Sequence, residues 1–319
     1  MASEAEVSPA TVSQTLNGGR PVSEATRARV LLAVSKLGYR PNRLARDLRT
    51  KRSQMIAIIV QDINNPFYAA LAEGLQRVLS PEGYRVVVCN TEGEPGGETH
   101  LIEDMVSRQV DGLVVASFKV LPRDCDLAVE QGVPVVVIGK KSPGAFDRVR
   151  ADEFAAAHDM TKLLIDAGYE DIVHVAGGRG QGPTDQRVDG YRHAMAGAGL
   201  FPEIISTEFT LSGGAKAFLE LLNARRMPRA VFCANDLIAI GVLRAAQAHG
   251  IRVPQDLAVA GIDDIEAASL VSPALTTVRN PAAEYDRSAG RLLMDRLQGS
   301  RAAPVDHVVR LEIVRRDSA

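Results

Sequence analysis

From Met55 onward, short apolar runs alternate with longer amphipathic stretches almost without interruption. The runs fall at 55–60, 84–89, 112–116 and 134–138, and helical spacing of apolar residues occupies 67–79, 98–109 and 123–131. A run rich in Val and Ile with few polar residues inside it marks a strand buried on both faces. The usual way to bury a strand twice is a parallel sheet with helices on either side. After residue 150 the pattern starts again, with strands near 171–176, 204–207, 229–233 and 256–260 and helices near 152–167, 185–198, 212–223 and 236–249. The fold class that follows is α/β: a two-lobed body of parallel sheets flanked by helices. Residues 274–278 read as a segment crossing between the lobes. Ligands of such sheets lie beyond the carboxyl ends of the strands, here in a cleft between lobes.

The first fifty residues belong to a different kind of protein. Residues 1–53 hold ten Lys and Arg against four acids, a net +6; the whole chain of 319 residues carries −2, so the remainder is −8. A basic head on an acidic body suits a polyanion that binds the head and is repelled by the body. Within the head, Ser8 precedes Pro9, and Gly18 follows Asn17, which marks both ends of a short helix. Its Val12 and Leu16 face inward, while Pro9, Ala10, Ser13 and Gln14 face out, as suits a helix entering a major groove. Ser23 caps a second helix ending at Gly38, with Val30, Leu31, Val34 and Leu37 as its expected buried stripe. Residues 41–53 follow as a linker, with five basic residues between 43 and 52 against one acid. It has the pattern of a short helix, marginal alone in water and stabilised by a polyanion and a second copy of itself.

Together these segments resemble the lactose/galactose repressor (LacI/GalR) family of bacterial transcription regulators. The resemblance rests on Val7-Ser8-Pro9-Ala10-Thr11-Val12-Ser13 with Leu16-Asn17-Gly18, on Val22-Ser23-Glu24 with Thr26-Arg27 and Arg29-Val30, and on Leu37-Gly38-Tyr39-Arg40-Pro41-Asn42-Arg43-Leu44-Ala45-Arg46 with Leu48-Arg49-Thr50. It implies a helix-turn-helix head (1–40), a hinge helix (41–53) and a periplasmic-binding-protein-like body. The body's first lobe would be 54–150 plus 279–319, with helix 283–297 and strand 307–314 returning to it, and its second lobe 151–278. By the same resemblance Pro9, Ala10 and Gln14 read bases. Ser8, Thr11, Asn17, Ser23, Thr26, Tyr39 and Asn42 contact or position phosphates, with Arg43 and Ala45 in the DNA-contacting hinge, and Leu48 wedges into the minor groove. Three departures stand out. The chain begins midway through the family's usual first helix, Glu6 stands where the turn usually has Gly, and Gln14 replaces a common Arg, which shifts preference from guanine toward adenine.

In the body the resemblance carries over Asn65, Phe67 and Tyr68 after the first strand, Arg187, Asn235 and Asp263 as effector contacts. Phe67 and Tyr68 also suit the first core positions of their helix, and Arg187 a surface helix position. Asp236 is expected to cap or support the helix it opens, and Asp264 to be structural. An aromatic platform with Arg, Asn and Asp suits a small sugar-like polyhydroxyl compound. The adjacent Lys140 and Lys141 point either to an anionic ligand or to a solvated loop. Where relatives carry Asp-Asn at the start of the second-lobe helix, this chain has Asp152-Glu153.

Catalytic chemistry has little to stand on. The run Gly177-Gly178-Arg179-Gly180-Gln181-Gly182 has neither the phosphate-loop Lys-Ser/Thr nor dinucleotide spacing. The six histidines are scattered without metal-ligand spacing, and no Gly-x-Ser-x-Gly elbow occurs. No enzyme, cofactor or metal is expected. Three cysteines without pairing pattern, an acidic start lacking an apolar core, and no run long enough to span a bilayer fit a cytoplasmic protein. The family resemblance implies a nucleoid-associated homodimer on a double-stranded operator. Two alternatives remain: a family member that binds ligand but has lost specific DNA binding, and an exported sugar-binding protein with the same body.

Overall fold

The computed structural model describes all residues except 18–21, 40–51, 92–95, 118–121, 140–145, 179–182 and 225. The chain forms two compact units, Met1–Arg52 and Ser53–Ala319.

In the small unit α1 (Pro9–Asn17) and α2 (Glu24–Lys36) pack around Val12, Val30 and Ala33, together with Ala5 from the chain ahead of them. That preceding segment is a single helical turn closed by two reverse bonds, from the Glu6 amide to the Ser3 carbonyl and from the Val7 amide to the Ala2 carbonyl. Glu6 sits at the left-handed position, φ 50°, which this kind of helix end normally gives to Gly. The expected stripe on α2 is only half right. Val30 is buried and Val34 partly so, but Leu31 and Leu37 are 49% and 50% exposed. One helical turn and α1 are too little structure to cover the far side of α2, and Ala33 takes the inner position instead.

The large unit runs β1 (Met55–Val60), α3 (Pro66–Leu79), β2 (Arg85–Asn90), α4 (Gly97–Ser107), β3 (Gly112–Ala116), α5 (Asp126–Glu130), β4 (Val135–Ile138) and β5 (Asp147–Ala151). It continues through α6 (Glu153–Asp166), β6 (Ile172–Ala176), α7 (Thr184–Gly197), β7 (Glu203–Ser206), α8 (Leu211–Asn223), β8 (Ala230–Cys233), α9 (Asp236–Ala248), β9 (Ala258–Asp263), α10 (Glu266–Leu270) and β10 (Thr276–Arg279). Helix α11 (Ala282–Leu297) and strands β11 (Asp306–Val309) and β12 (Glu312–Val314) follow. Two sheets result, in the orders β2-β1-β3-β4-β5-β11 and β7-β6-β8-β9-β10-β12. Every pairing is parallel except that of β12 with β10.

Alternate residues of β1 feed two cores: Ile56, Ile58 and Val60 meet α3 and α11, while Ala57 and Ile59 meet Ile102 and Val106 of α4. Burial on both faces is why the strand is apolar throughout. Each such Ile or Val contributes about 1.5–3 kcal/mol of transfer free energy. The second sheet repeats the plan, with α8 and α9 on one face and α6 and α7 on the other.

Three sequence expectations need correction. Strand β5 was not anticipated, because its inward residues are charged: Asp147 and Arg148 are both buried, and Asp147 takes a two-pronged bond from Arg296 at 2.6 and 2.8 Å plus the Val305 amide. Residues 276–279 are not simply a crossing segment but a strand of the second sheet. The stretch 307–314 is not one strand returning to the first lobe. β11 joins the first sheet beside β5, the chain breaks at Arg310-Leu311, and β12 joins the second sheet beside β10. The chain therefore passes between the sheets three times, near 152, 280 and 310, and Leu311 packs against a core of each.

Candidate functional site

The parallel strands of both sheets point their carboxyl ends at a common cavity of about 540 Å³. All six residues expected to meet an effector line it: Asn65, Phe67, Tyr68, Arg187, Asn235 and Asp263. From the first sheet comes the β1–α3 loop. Asn65 caps α3, its side chain accepting the Phe67 amide at 3.0 Å. Phe67 meets Tyr68 and Tyr285 edge-on at ring-centroid distances of 5.4 and 5.8 Å, which makes an aromatic wall. Phe67 and Tyr68 each pack on the first-sheet core and also line the cavity. Phe209, after β7, lines it from the second sheet.

Arg187 is no surface arginine. It is 3% exposed, its Nε donates to Glu153 Oε2 at 2.8 Å, and its Nη1 donates to the Ala234 carbonyl. Burial works against its charge, but the Glu153 and Asp263 carboxylates outweigh that and hold it firmly protonated. Asp263 ends β9 with φ 125°, a backbone conformation that an L-residue rarely adopts outside functional sites. Burial pushes its carboxyl up to about 6, against the pull of Arg187 and of side-chain hydrogen bonds from Asn280 and Asn65. Asn280 Nδ2 lies 3.4 Å from Asp263, and its Oδ1 is buried without a hydrogen-bond partner.

The expectation for Asp236 and Asn235 is reversed in part. Asn235, not Asp236, caps α9, its Oδ1 accepting the Ile238 amide at 2.9 Å, so only its Nδ2 remains for a ligand. Asp236 turns away, accepting the Ile265 amide at 3.0 Å and the Thr277 hydroxyl at 2.5 Å. Burial raises its carboxyl to about 7, helped by the nearby charge of Asp263. Asp264 is structural as expected, paired with Arg279 and Arg316 at 2.8 and 2.6 Å. Glu153, Asn280 and Tyr285 also line the cavity and were not anticipated as contacts. The departure at Asp152-Glu153 was the one available sign of the first. Lys140 and Lys141 lie outside the described residues.

In the head, Pro9 and Ala10 are exposed at the first positions of α1, and Gln14 lies on the same helix, partly covered. Ser8 Oγ accepts the Thr11 amide at 3.1 Å and sits 2.9 Å from the Thr11 hydroxyl. Ser23 caps α2 through the Thr26 amide, and its hydroxyl donates to that of Thr26 at 2.9 Å. Tyr39 is exposed. Asn17 closes α1, with its side chain outside the description, as are Asn42, Arg43, Ala45 and Leu48 altogether. Among the described residues no cluster of His, Cys, Asp or Glu is arranged to hold a metal, and no helix is long and apolar enough to cross a membrane.

Comparison with known proteins gives the frame for both sites. Residues 1–42 match the model of bacterial regulatory proteins of the lacI family, and residues 161–319 match the periplasmic binding protein-like domain. Catabolite control protein A of Priestia megaterium is 35% identical over 299 residues, covering 92% of this chain and 90% of that protein. The chain belongs to the lacI family. It is thus a transcription regulator, from a family whose members regulate transcription rather than catalyse reactions. The ribose operon repressor of Escherichia coli is likewise 35% identical, over 92% of this chain and 90% of its own length. Among solved structures, a complex of the transcriptional regulator CelR with cellobiose is 32% identical with a TM-score of 0.75, covering 100% of this chain and 98% of that one. The operator-bound lac repressor dimer, 23% identical with a TM-score of 0.88 over 99% of this chain and 97% of that one, shares the fold.

Proposed function

We propose that this lacI-family protein is a cytoplasmic repressor that binds a palindromic operator as a homodimer and is controlled by a small sugar-like effector in the cavity between its two sheets. The carrying observation is that cavity. Polar side chains from both sheets surround an aromatic wall there, and the polar groups are offered in the pairs that ring hydroxyls accept and donate. Solved relatives with cellobiose and with ribose, 32% and 26% identical, support a carbohydrate or related polyol. Arg187, Asn235, Asn65 and Asp263 take hydroxyls while Phe67 and Tyr68 stack on the apolar face. The base-reading residues are Pro9, Ala10 and Gln14, with Leu48 as the central wedge. A two-fold site needs a two-fold protein, so light scattering should find a dimer at micromolar concentration.

Selection from a random duplex library should recover an inverted repeat, and recovery of no site would leave a ligand-binding protein without operator specificity. On the recovered site, Leu48→Ala should lose specific affinity while leaving random-duplex affinity and its salt slope unchanged. Arg49→Ala should lower both affinities and flatten that slope by about 0.9 for one lost phosphate contact. Equal losses on both duplexes for Leu48→Ala would remove the wedge. Arg187→Ala and Asp263→Ala should abolish the effector response in a folded dimer that still binds DNA, if effector releases the operator.

A further inference from the structure

The charge of the cavity is lopsided. Among the described residues lining it there are four carboxylates, Asp62, Glu153, Glu208 and Asp263, and one cation, Arg187. That cation is already committed, since Glu153 Oε2 accepts its Nε at 2.8 Å and both side chains are almost wholly buried. Asp62 accepts from the Asn64 amide and side chain, and Glu208 at the rim accepts from the Thr207 hydroxyl at 3.4 Å and pairs with the exposed Lys216 at 3.4 Å. A second observation points the same way. Asn280 offers a buried Oδ1 with no hydrogen-bond partner, because its Nδ2 is turned toward Asp263.

We propose that Glu153 sets the charge class of the effector. By pairing with Arg187 it withdraws from anion recognition the one cation among the described lining residues, so that the site takes uncharged or amine-bearing polyols and refuses phosphorylated or carboxylated ones. The proposal rests on the reading that the cleft holds a polyhydroxyl effector, and sharpens it. A ligand phosphate or carboxylate beside Arg187 would sit within a few ångströms of Glu153 and Asp263. In a medium of low effective dielectric, like charges at that range repel strongly. A hydroxyl or ammonium donor placed there meets acceptors at Asp263, Asn280 Oδ1 and Glu153. Burial lifts the Asp263 carboxyl to about 6, with Glu153 adding to it against the pull of Arg187.

The test is titration calorimetry on the wild-type dimer and on Glu153→Gln, an exchange that keeps an acceptor for the Arg187 Nε and removes the charge. Probes are matched pairs, ribose with ribose 5-phosphate and cellobiose with cellobionate, plus sulfate as a minimal anion that needs no sugar recognition. The wild type should favour the neutral member of a binding pair by about 100-fold or more and show no saturable sulfate site. Glu153→Gln should narrow that ratio about tenfold and acquire a sulfate site. A wild type that binds the anionic member as tightly, through Lys140 and Lys141 or otherwise, overturns the proposal, as does sulfate behaviour unchanged between the two proteins. If no sugar of either pair binds, the polyol reading of the cleft fails, while the sulfate comparison still decides the role of Glu153. Should Glu153→Gln not fold, Glu208→Gln at the exposed rim should relax the ratio two- to threefold by charge alone, and no change there counts against the proposal.

Discussion

Asp236 and Asp263 are both buried, the charge of Asp263 adds to the cost of ionising Asp236, and their carboxyls titrate near 7 and near 6. In the unfolded chain both would titrate near 3.9. A raised carboxyl gives the folded state a stabilising proton at low pH, and that stability is lost as pH rises through the folded value. His174 works in the opposite sense. Its burial between Tyr191 and Phe232 lowers it to about 4, so its neutral form loses stability only as pH falls below about 6.5. The three buried cysteines, raised by burial, differ from unfolded thiols mainly at about pH 8 and above. Below about pH 7.5 and down to about 6.5 the aspartates therefore dominate, and the melting temperature should rise on acidification through that window. Asp236→Asn, which can still accept from Ile265 and donate to Thr277, should flatten the rise; an unchanged slope would place its origin elsewhere. Arg187 and Asp263 could be singled out from the chain because each matches a motif position of the family resemblance, Asp263 at the end of an apolar strand and Arg187 in a helix. Glu153, Asn280 and Tyr285 could not. They reach the cavity from the first turn of α6 and from the segment after β10, and only the crossings between sheets bring them there.

At the scale of elements, α3 and α11 form a close joint. A Cβ on Gly74 would stand 1.6 Å from Asp286 Oδ2, and one on Gly290 would stand 2.6 Å from Val78. Leu71, Leu75 and Leu79 are spent on this joint and the sheet behind it, which makes them core. Gly74→Ala should cost about 1–3 kcal/mol in urea unfolding by overpacking. Adding Asp286→Ala should recover most of that loss, because burial already raises the Asp286 carboxyl and removing it opens the space. Additive costs would mean the two positions do not share the clash. The head has a comparable weak point at Glu6, whose left-handed φ of 50° a glycine adopts freely. Glu6→Gly should slow amide exchange over 1–17, while faster exchange would show that the Glu6–Arg29 contact at 3.8 Å matters more than the backbone. Most strands were legible because double burial writes them as unbroken apolar runs. β5 was not, since an Asp147–Arg296 pair satisfies charges that the pattern assigns to solvent. Nor was the break at Arg310-Leu311, because β11 and β12 alternate alike and only their partners differ.

For the whole molecule, three crossings tie two sheets around one cavity, and an effector can shift their arrangement only by as much as it binds one arrangement better than another. A tenfold difference in affinity between states gives at most a tenfold change in their ratio, whatever the total affinity. The same crossings decide something about the order in which the protein comes into being. A ribosome delivers the amino end first, yet the first sheet lacks α11 against one face until residue 297 is made and its last strand until residue 309. The second sheet lacks β12 until residue 314. Neither half can close while the other is still being synthesised. Until the final fifteen or so residues emerge, β5 and β10 each present an unpaired edge of the kind that recruits other chains. A chain stopped after Val305 should therefore collect in the insoluble fraction with both edges open, whereas supplying 306–319 as a separate peptide during refolding should return part of it to solution. Most of the fold is specified early, but its protection from aggregation arrives last.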